Sequence, residues 1–314
     1  MTLAVVVFFI GLVVLYFGAD FLVDGSSRLA LSYGVRPLII GMTIVSFATS
    51  MPELMVSLLA VGQGSSAIAV GNIVGSNIAN IGLILGVSAI VLPLTVPRSL
   101  LRRELPFMIF STMVLYVVCL DGNLGRTDAV ILLMLLGLFI GYCVRYARDV
   151  SVDVQVPDDV VEREQSGRSR DVAYIIGGII GLGLGAHWMV SSAVIIARAI
   201  GLSELFIGMT IVALGTSLPE LAASLVSAAK GEMDISIGNV IGSNIFNILF
   251  VLGLCPLFQS IAVDPSVLRF ELPVVLLFSC ALVPLCWHRL RVSRANGVFL
   301  LTAYMSFLLF LIMR

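Results

Sequence analysis

The sequence is poor in charged residues. Asp, Glu, Lys and Arg make up only 12% of its 314 residues, whereas a soluble domain carries about 25%. Because 59% of the residues are hydrophobic, the chain cannot cover a surface in water, which excludes soluble enzymes and disordered regulators. A basic excess is also lacking, since the formal net charge is -1, and this excludes nucleic acid as a partner. The composition predicts an all-α polytopic membrane protein.

Cysteine and histidine are scarce as well. The five cysteines lie in apolar runs without paired spacing, and the chain has two histidines. This pattern favours small buried thiols over a disulfide framework or a thiolate metal cage. No cofactor and no obligate protein partner are expected, and the surroundings of the chain are expected to be a lipid bilayer.

Long apolar runs are what the sequence has in abundance. A bilayer core of about 30 Å needs roughly 20 apolar residues per helix, and the runs between charged or Gly- and Pro-rich breaks approach that length. The sequence therefore predicts ten transmembrane helices. They cover 2–23, 37–62, 66–92, 104–120, 126–147, 171–197, 204–229, 233–259, 270–288 and 295–313.

The positions of Lys and Arg predict an orientation, because cytoplasmic loops are enriched in these residues. With the N-terminus outside, the cytoplasmic loops hold all but four of the 18 basic residues. The four exceptions are Arg126, Arg198, Arg269 and Arg314. Both termini are therefore expected outside.

One hydrophilic stretch, at 148–170, separates the fifth and sixth predicted helices. Its acidic residues lack the Asp-x-Asp-x-Asp-Gly spacing of a calcium-binding loop. A solvated cytoplasmic linker is therefore favoured over a regulatory ion site, since runs of charge are usually solvated.

The chain contains an internal repeat with an offset of 167 residues. Over 38–86 and 205–253, 26 of 49 positions are identical without a gap. Five helices per repeat is an odd number, so the second repeat must enter the membrane from the opposite face. We therefore expect two inverted repeats, 1–147 and 171–314, an arrangement that places a transporter's substrate site at the midplane between them.

Two glutamates, Glu53 and Glu220, are repeat equivalents in the middle of the second and seventh predicted helices. A carboxylate there costs about 2.5–3.5 kcal/mol on insertion scales, and no basic residue lies in the core of a span to pair with it. Each glutamate follows a proline, which releases carbonyl oxygens at 46–48 and 213–215. The hydroxyl groups in the same turns belong to Thr49, Ser50, Thr216 and Ser217. These hard oxygen donors suit sodium and calcium.

The third and eighth predicted helices carry a second repeated motif, GNIVGSNIAN at 71–80 and GNVIGSNIFN at 238–247. Within it, a serine and an asparagine four residues apart share a helix face. These residues are Ser76 with Asn80, and Ser243 with Asn247. They offer neutral oxygens to an ion held by the glutamates. The alternative is that the glycines allow close helix packing and the asparagines bond across helices.

With both motifs present twice, the chain resembles the cation/calcium antiporter superfamily, in particular the small prokaryotic sodium/calcium exchangers. The resemblance covers nearly the whole chain. It implies a sodium/calcium antiporter of the inner membrane, in which the two glutamates bridge Ca²⁺ and Na⁺ ions occupy flanking sites. It also implies that the first and sixth helices slide across the other eight to alternate access.

The resemblance further implies a set of ion ligands, including backbone oxygens of Ser46 and Ala213. The full set is Ser46, Thr49, Ser50, Glu53, Ser76, Asn80, Ala213, Thr216, Ser217, Glu220, Ser243 and Asn247. Two positions depart from the family pattern. Many members have Asp where Asn247 stands, and Ala48 replaces the glycine that precedes Thr-Ser in the usual motif.

Other functions remain open at this point. Two glutamates can carry protons as well as metal ions, so proton/calcium and sodium/proton antiport are alternatives. An intramembrane hydrolase using Ser76 or Ser243 with His187 is the alternative from another class, but the chain lacks a Gly-x-Ser-x-Gly elbow. Asp20 and His187 are repeat equivalents, and His187 is either a pH sensor or a packed histidine.

Overall fold

The computed structural model describes residues 2–150, 164–201, 213–287 and 290–313. Over these residues the chain is an all-α polytopic membrane protein, as its composition predicts. The helices are α1 (Thr2–Ser32), α2 (Pro37–Ile40), α3 (Ser46–Thr49), α4 (Met51–Gly62), α5 (Ser66–Ala79), α6 (Leu85–Val91), α7 (Leu105–Val118), α8 (Arg126–Val150), α9 (Glu164–Ala199), α10 (Ala213–Thr216), α11 (Leu218–Ala229), α12 (Met233–Phe246), α13 (Leu252–Phe258), α14 (Leu272–Trp287) and α15 (Arg294–Met313). Single π-helical turns lie at Gly41–Val45, Asn80–Ile84, Leu100–Glu104, Asn247–Val251 and Val267–Glu271.

Seven described helical stretches are long and apolar enough to cross a bilayer, and a bent pair adds an eighth. In that pair, Pro37–Thr49 and Met51–Gly62 meet at an angle of 40°. These eight stretches correspond to predicted helices 1, 2, 3, 5, 6, 8, 9 and 10. Predicted helix 4 corresponds to α7 with the π-turn before it. Predicted helix 7 corresponds to α10 and α11, and its predicted start at 204–212 lies outside the described residues.

The first helix is longer than predicted. The apolar run ends at residue 23, whereas α1 continues to Ser32. The additional turns carry charges that other parts of the fold neutralise: Lys230 Nζ lies 2.5 Å from Asp24 Oδ1, and Arg28 Nε lies 3.0 Å from Asp171 Oδ1. These partners hold the polar end of α1 in the fold beyond its apolar run.

The stretch predicted as a linker, 148–170, is helical at both of its described ends. Helix α8 extends to Val150 and α9 begins at Glu164, whereas 151–163 lie outside the described residues. The prediction placed the helix ends where the hydrophobic pattern stops. That pattern marks the edge of the apolar run and not the last hydrogen-bonded turn.

Secondary structure repeats with the same offset as the sequence. The π-turn Asn80–Ile84 has its counterpart in Asn247–Val251, and α5 has its counterpart in α12. Two short antiparallel strand pairs connect the halves of the chain. Strand β1 (Leu94–Thr95) pairs with β4 (Arg291–Val292), and β2 (Asn123–Leu124) pairs with β3 (Ile261–Ala262).

The second motif lies at the centre of the molecule. Within their most apolar windows, the stretch Ser66–Val91 is 78% buried and Met233–Phe258 is 83% buried, compared with 28% for α1. Such burial requires these helices to contact protein on nearly every face. The polar residues of α5 and α12 are therefore enclosed by protein and not by lipid.

Helices α1 and α9 pack closely along their glycines. A Cβ on Gly18 would lie 2.5 Å from Leu182 N, and a Cβ on Gly185 would lie 2.5 Å from Leu15 N. The backbones of the two helices could not approach as closely with larger residues. Gly181 and Gly185 of α9 both lie in this contact with α1. Gly178, and not Gly177, faces α1 among the described residues.

Candidate ion-binding site

Both helices that carry the paired glutamates are broken just before the glutamate. Ser50, between α3 and α4, has φ -79° and ψ 1°, and Ser217, between α10 and α11, has φ -87° and ψ 5°. A proline then lies in the first turn of the following helix, where its missing N–H removes no intrahelical bond. Glu53 and Glu220 therefore lie in the first turn of a new helix that begins at this break.

Glu53 is fully buried and receives hydroxyl groups from both halves of the chain. Ser76 Oγ donates to Glu53 Oε1 at 3.5 Å, and Ser217 Oγ donates to the same oxygen at 3.4 Å. The two hydroxyl oxygens lie 3.3 Å apart. Among the described residues, Glu53 Oε2 has no hydrogen-bond partner. One carboxylate oxygen is thus solvated by protein and the other remains available to a ligand.

Glu220 is 1% exposed, and neither of its carboxylate oxygens has a hydrogen-bond partner within the described residues. The hydroxyl groups of Thr49 and Ser50 lie nearby without reaching hydrogen-bond geometry. The ion pairs of the described part of the chain involve neither glutamate. A buried carboxylate without a partner is strongly unfavourable, so this arrangement favours binding of a cation.

Thr49 and Thr216 each bond to the opposite half of the chain. Thr49 Oγ1 donates to Asn239 Oδ1 at 3.2 Å and lies 3.4 Å from Ser243 Oγ. Thr216 Oγ1 donates to Asn72 Oδ1 at 3.4 Å. The hydroxyl groups of one half therefore lie beside the polar helix of the other half.

The two backbone positions expected to bind ions differ from each other. Ser46 O accepts a hydrogen bond from Ser50 N at 3.0 Å and also lies 3.4 Å from Thr49 Oγ1, so this carbonyl is less free than the proline argument predicts. At the equivalent bend of the second half, Ser217 N donates to Leu214 O at 3.2 Å. For Ala213 the structure describes the backbone only.

Asn80 and Asn247 are buried amides whose partners are not found among the described residues. Asn80 is 1% exposed and Asn247 is 0% exposed. The oxygen and the nitrogen of each side-chain amide have no hydrogen-bond partner there. Each begins a π-helical turn, and such turns occur frequently at functional sites. The structure does not bring either amide into hydrogen-bond contact with Glu53 or Glu220.

Two further asparagines belong to this region and were not selected from the sequence. Asn72 Nδ2 donates to Glu53 O at 3.2 Å and to Ser57 Oγ at 3.1 Å. Asn239 Nδ2 donates to Glu220 O at 3.3 Å and to Ser224 Oγ at 2.9 Å. The signal was present, because both asparagines follow the first glycine of the repeated motif. The motif predicts residues that face an ion, whereas these asparagines contact the glutamate backbones.

The donor set suits a hard cation. The buried atoms without a hydrogen-bond partner in the described part of the chain include three carboxylate oxygens, the Ser50 hydroxyl and the amide oxygens of Asn80 and Asn247. The described residues contain no cluster of three or more His, Cys, Asp or Glu that could hold a metal ion. Two carboxylates with neutral oxygens can balance the charge of one divalent ion and still release it. A cavity of about 390 Å³ reaches Asn72, Ser76 and Thr216 beside α15.

Asp20 lies away from the glutamates, in a cluster at the polar end of α1. Its Oδ1 lies 2.6 Å from Lys230 Nζ, which also pairs with Asp24. Partial burial lowers the pKa of Lys230, but hydrogen bonds to Asp20 and Asp24 outweigh burial and hold that pKa above its usual value of 10.5. His187, the repeat equivalent of Asp20, is exposed on α9. The second histidine, His288, lies outside the described residues.

The chain matches the model of the family described as sodium/calcium exchanger protein, over residues 3–145 and 171–313. An inner membrane protein of Escherichia coli, YrbG, is 41% identical over 98% of this chain and 96% of its own length. The sodium/calcium exchanger MaX1 of Methanosarcina acetivorans is 31% identical over 99% of both chains.

A solved structure is similar over the same extent. The sodium-calcium exchanger NCX_Mj, soaked without Na⁺ and Ca²⁺, superposes with a TM-score of 0.86 at 32% identity. The match covers 99% of each chain. The similarity therefore extends over the whole fold and is not confined to the repeated motifs.

Proposed function

Since the chain belongs to the sodium/calcium exchanger protein family, we propose that it exchanges Na⁺ for Ca²⁺ across the membrane at the paired glutamates. The family transports cations and is not a family of enzymes, so the intramembrane hydrolase is set aside. Ca²⁺ and Na⁺ are the transported ions of this family, and they are substrates and not resident cofactors.

The buried, unpartnered carboxylate of Glu220 is the observation that carries the proposal. Together with Glu53 Oε2 it provides three carboxylate oxygens without a hydrogen-bond partner in the described residues. Desolvated carboxylates of this kind are stable when they bind a cation. Their charge equals that of one Ca²⁺, and the hydroxyl and amide oxygens around them are ligands that Ca²⁺ and Na⁺ accept.

We assign the ligands as a set that both halves of the chain build together. Carboxylates of Glu53 and Glu220 bridge Ca²⁺, and Na⁺ ions bind beside them to neutral oxygens. The remaining proposed ligands are Ser46, Thr49, Ser50, Ser76, Asn80, Ala213, Thr216, Ser217, Ser243 and Asn247. Contacts of Ser76 and Ser217 with Glu53 support this grouping most directly.

Alternating access is the proposed transport mechanism, with α1 and α9 moving together across the remaining helices. Glycine-mediated packing between α1 and α9 supports their movement as one unit. The division into inverted repeats at 1–147 and 171–314, with both termini outside and a cytoplasmic linker at 148–170, belongs to the same proposal. The protein is an integral membrane protein, and its similarity to the Escherichia coli inner membrane protein supports an inner-membrane location.

Calcium uptake into proteoliposomes tests the proposal. Purified protein is reconstituted, the vesicles are loaded with Na⁺ or with choline, and uptake of radioactive Ca²⁺ is measured after dilution into Na⁺-free buffer. We expect rapid uptake only in the Na⁺-loaded vesicles. Excess Mg²⁺ should compete poorly, because Mg²⁺ requires a tight octahedron and loses its water reluctantly.

Two additional arms separate the alternatives. Uptake driven by an outward proton gradient without Na⁺ would replace the proposal with proton/calcium antiport, and Na⁺-dependent proton movement without Ca²⁺ uptake would replace it with sodium/proton antiport. Glu104→Gln is the matched control. Glu104 is 1% exposed and accepts a hydrogen bond from Tyr142 Oη at 2.9 Å, away from the proposed ligands. This variant should retain exchange.

A further inference from the structure

Asn72 and Asn239 occupy equivalent positions and make equivalent bonds. Each side-chain NH₂ donates both to the backbone oxygen of the glutamate in its own half and to a serine hydroxyl four residues beyond that glutamate. Each side-chain oxygen accepts from a threonine of the opposite half, Thr216 for Asn72 and Thr49 for Asn239. Both asparagines therefore join the two halves at the bend beside the glutamate.

The glutamate backbone fixes which way each amide points. A backbone carbonyl oxygen can only accept hydrogen bonds, so the amide nitrogen must face Glu53 O in one half and Glu220 O in the other. The amide oxygen must then face the threonine. An inverted amide would place two acceptors against each other at 3.2–3.3 Å.

The direction of the amide decides how the threonine hydroxyl presents its oxygen. A hydroxyl has one proton and two lone pairs. When Thr49 donates its proton to Asn239 Oδ1, its lone pairs are directed elsewhere and are free to bind a cation. Without that acceptor the hydroxyl proton can turn toward Ser46 O, 3.4 Å away, or toward the ion, which repels it, so the direction of the lone pairs is no longer fixed. Ser243 Oγ donates to the same oxygen at 3.4 Å, so Asn239 orients two hydroxyl groups.

We propose that Asn72 and Asn239 are positioning residues that orient the Thr216 and Thr49 hydroxyl oxygens for cation binding across the interface between the two halves. The inference rests on the proposed function, because Thr49 and Thr216 are ligands only if ions bind at the paired glutamates. Neither asparagine contacts the ion. Each acts through a threonine, and this distinguishes it from a residue that merely packs.

Double-mutant cycles on ion binding test the inference. Ca²⁺ affinity of purified protein is measured by calorimetry for the wild type, Asn239→Ala, Thr49→Val and their combination, and likewise for Asn72→Ala with Thr216→Val. Each single variant is expected to weaken Ca²⁺ binding about tenfold. Because the asparagine acts through the threonine, the Ca²⁺ affinity of each double variant should be no lower than that of the single variant with the lower affinity. In exchange assays the asparagine variants should raise KM more than they lower kcat.

One control variant tests the general effect of losing an amide, and two milder variants serve if an asparagine variant does not fold. Asn296→Ala removes an amide that donates to Leu285 O at 3.1 Å, remote from the glutamates, and should bind Ca²⁺ like the wild type. Ser57→Ala and Ser224→Ala remove one acceptor of each positioning amide and leave every proposed ligand in place. They should weaken binding in the same direction by a smaller factor, and they provide the test if an asparagine variant fails to fold.

The outcomes separate this inference from the proposed function. If the wild type binds Ca²⁺, Glu220→Gln does not, and the asparagine variants bind like the wild type, the site stands and the inference is wrong. Fold-changes that multiply in the double variants would assign the asparagines a structural role independent of the threonines, which also overturns it. If the wild type binds neither Ca²⁺ nor Na⁺, the proposed function and the inference are both wrong.

Discussion

The two halves of the chain place the same residue types at the paired glutamates but bond them differently. Glu53 Oε1 accepts hydrogen bonds from Ser76 and Ser217, whereas neither oxygen of Glu220 has such a partner among the described residues. Asn72 and Asn239, by contrast, make matching bonds in both halves. The backbone framework is therefore symmetric, and the carboxylates it holds are not.

This difference shows which contacts at the paired glutamates are the same in both halves. The asparagine contacts are made to backbone atoms and hydroxyl groups of the protein, so they form without an ion. The environment of each carboxylate depends on which hydroxyl groups have turned toward it. The sequence repeat thus predicts the same residue types around both glutamates. Which carboxylate accepts hydrogen bonds from the protein depends on the orientation of the surrounding hydroxyl groups in the described conformation.

Removal of either carboxylate charge gives the largest expected effect and tests whether both halves are needed. Glu53→Gln and Glu220→Gln should each abolish Na⁺-dependent Ca²⁺ uptake, with a loss of more than about 100-fold, because a partly neutralised ion in a buried site costs about 3–5 kcal/mol. Uptake in proteoliposomes measures the loss. Glu104→Gln controls for the change of a buried acid to an amide. Near wild-type uptake by Glu53→Gln or by Glu220→Gln would exclude that residue from the site.

The stability of the same two variants should distinguish the halves. In ion-free buffer Glu220→Gln removes an unpartnered buried charge, whereas Glu53→Gln also removes an acceptor of two hydroxyl groups. Glu220→Gln should therefore be the more stable variant by about 1–3 kcal/mol, the range for an unsatisfied buried polar group. Thermal unfolding in detergent, without Na⁺ or Ca²⁺, measures the difference. Equal midpoints would mean that the asymmetry of the carboxylates has no energetic consequence.

Much of this arrangement could be predicted from particular residues. The repeated Thr-Ser-x-Pro-Glu and GN-x-x-GSN-I-x-N motifs predicted which helices meet at the centre. The prolines predicted free carbonyl oxygens at 46–48 and 213–215, whereas the helices break at Ser50 and Ser217 and Ser46 O accepts a hydrogen bond from Ser50 N. The contacts of Asn72 and Asn239 with the glutamate backbones were not predicted, because a motif interpreted as a source of oxygen ligands does not indicate which amides donate to a backbone oxygen. The length of α1 was missed because its last turns are stabilised by Lys230 and Asp171, which are distant in sequence.

The asparagines at the π-turns provide a third comparison, since both halves are uncharged there. Asn247→Asp adds a third carboxylate near the proposed ions and should tighten Ca²⁺ binding about tenfold at neutral pH, as expected for about 1.4 kcal/mol of added attraction. The added group also binds protons, so exchange should become more sensitive to acid than in the parent. Calorimetry and uptake at several pH values measure both effects.

Asn80→Asp is the matched variant of Asn247→Asp in the first half. If the two asparagines are equivalent ligands, both variants should change Ca²⁺ affinity in the same direction and by a similar factor. A change confined to Asn247→Asp would show that the halves bind ions unequally. No change in either variant would remove both amides from the proposed ligand set.

The smallest expected effect concerns the ends of the repeats, where the halves differ in charge. Lys230 pairs with Asp20 and Asp24, whereas the repeat equivalents of these three residues are Gln63, His187 and Ser191. Lys230→Gln should destabilise the described conformation by about 1 kcal/mol, because partly exposed ion pairs contribute about 0.2–1 kcal/mol each. Hydrogen exchange of the polar end of α1 should therefore be faster by a factor of about five. Gln63→Ala changes the equivalent uncharged position, so it should leave the hydrogen exchange rates of the polar end of α1 and of its repeat equivalent in α9 unchanged. If both substitutions changed these rates equally, the ion pairs of Lys230 would not distinguish the two repeats.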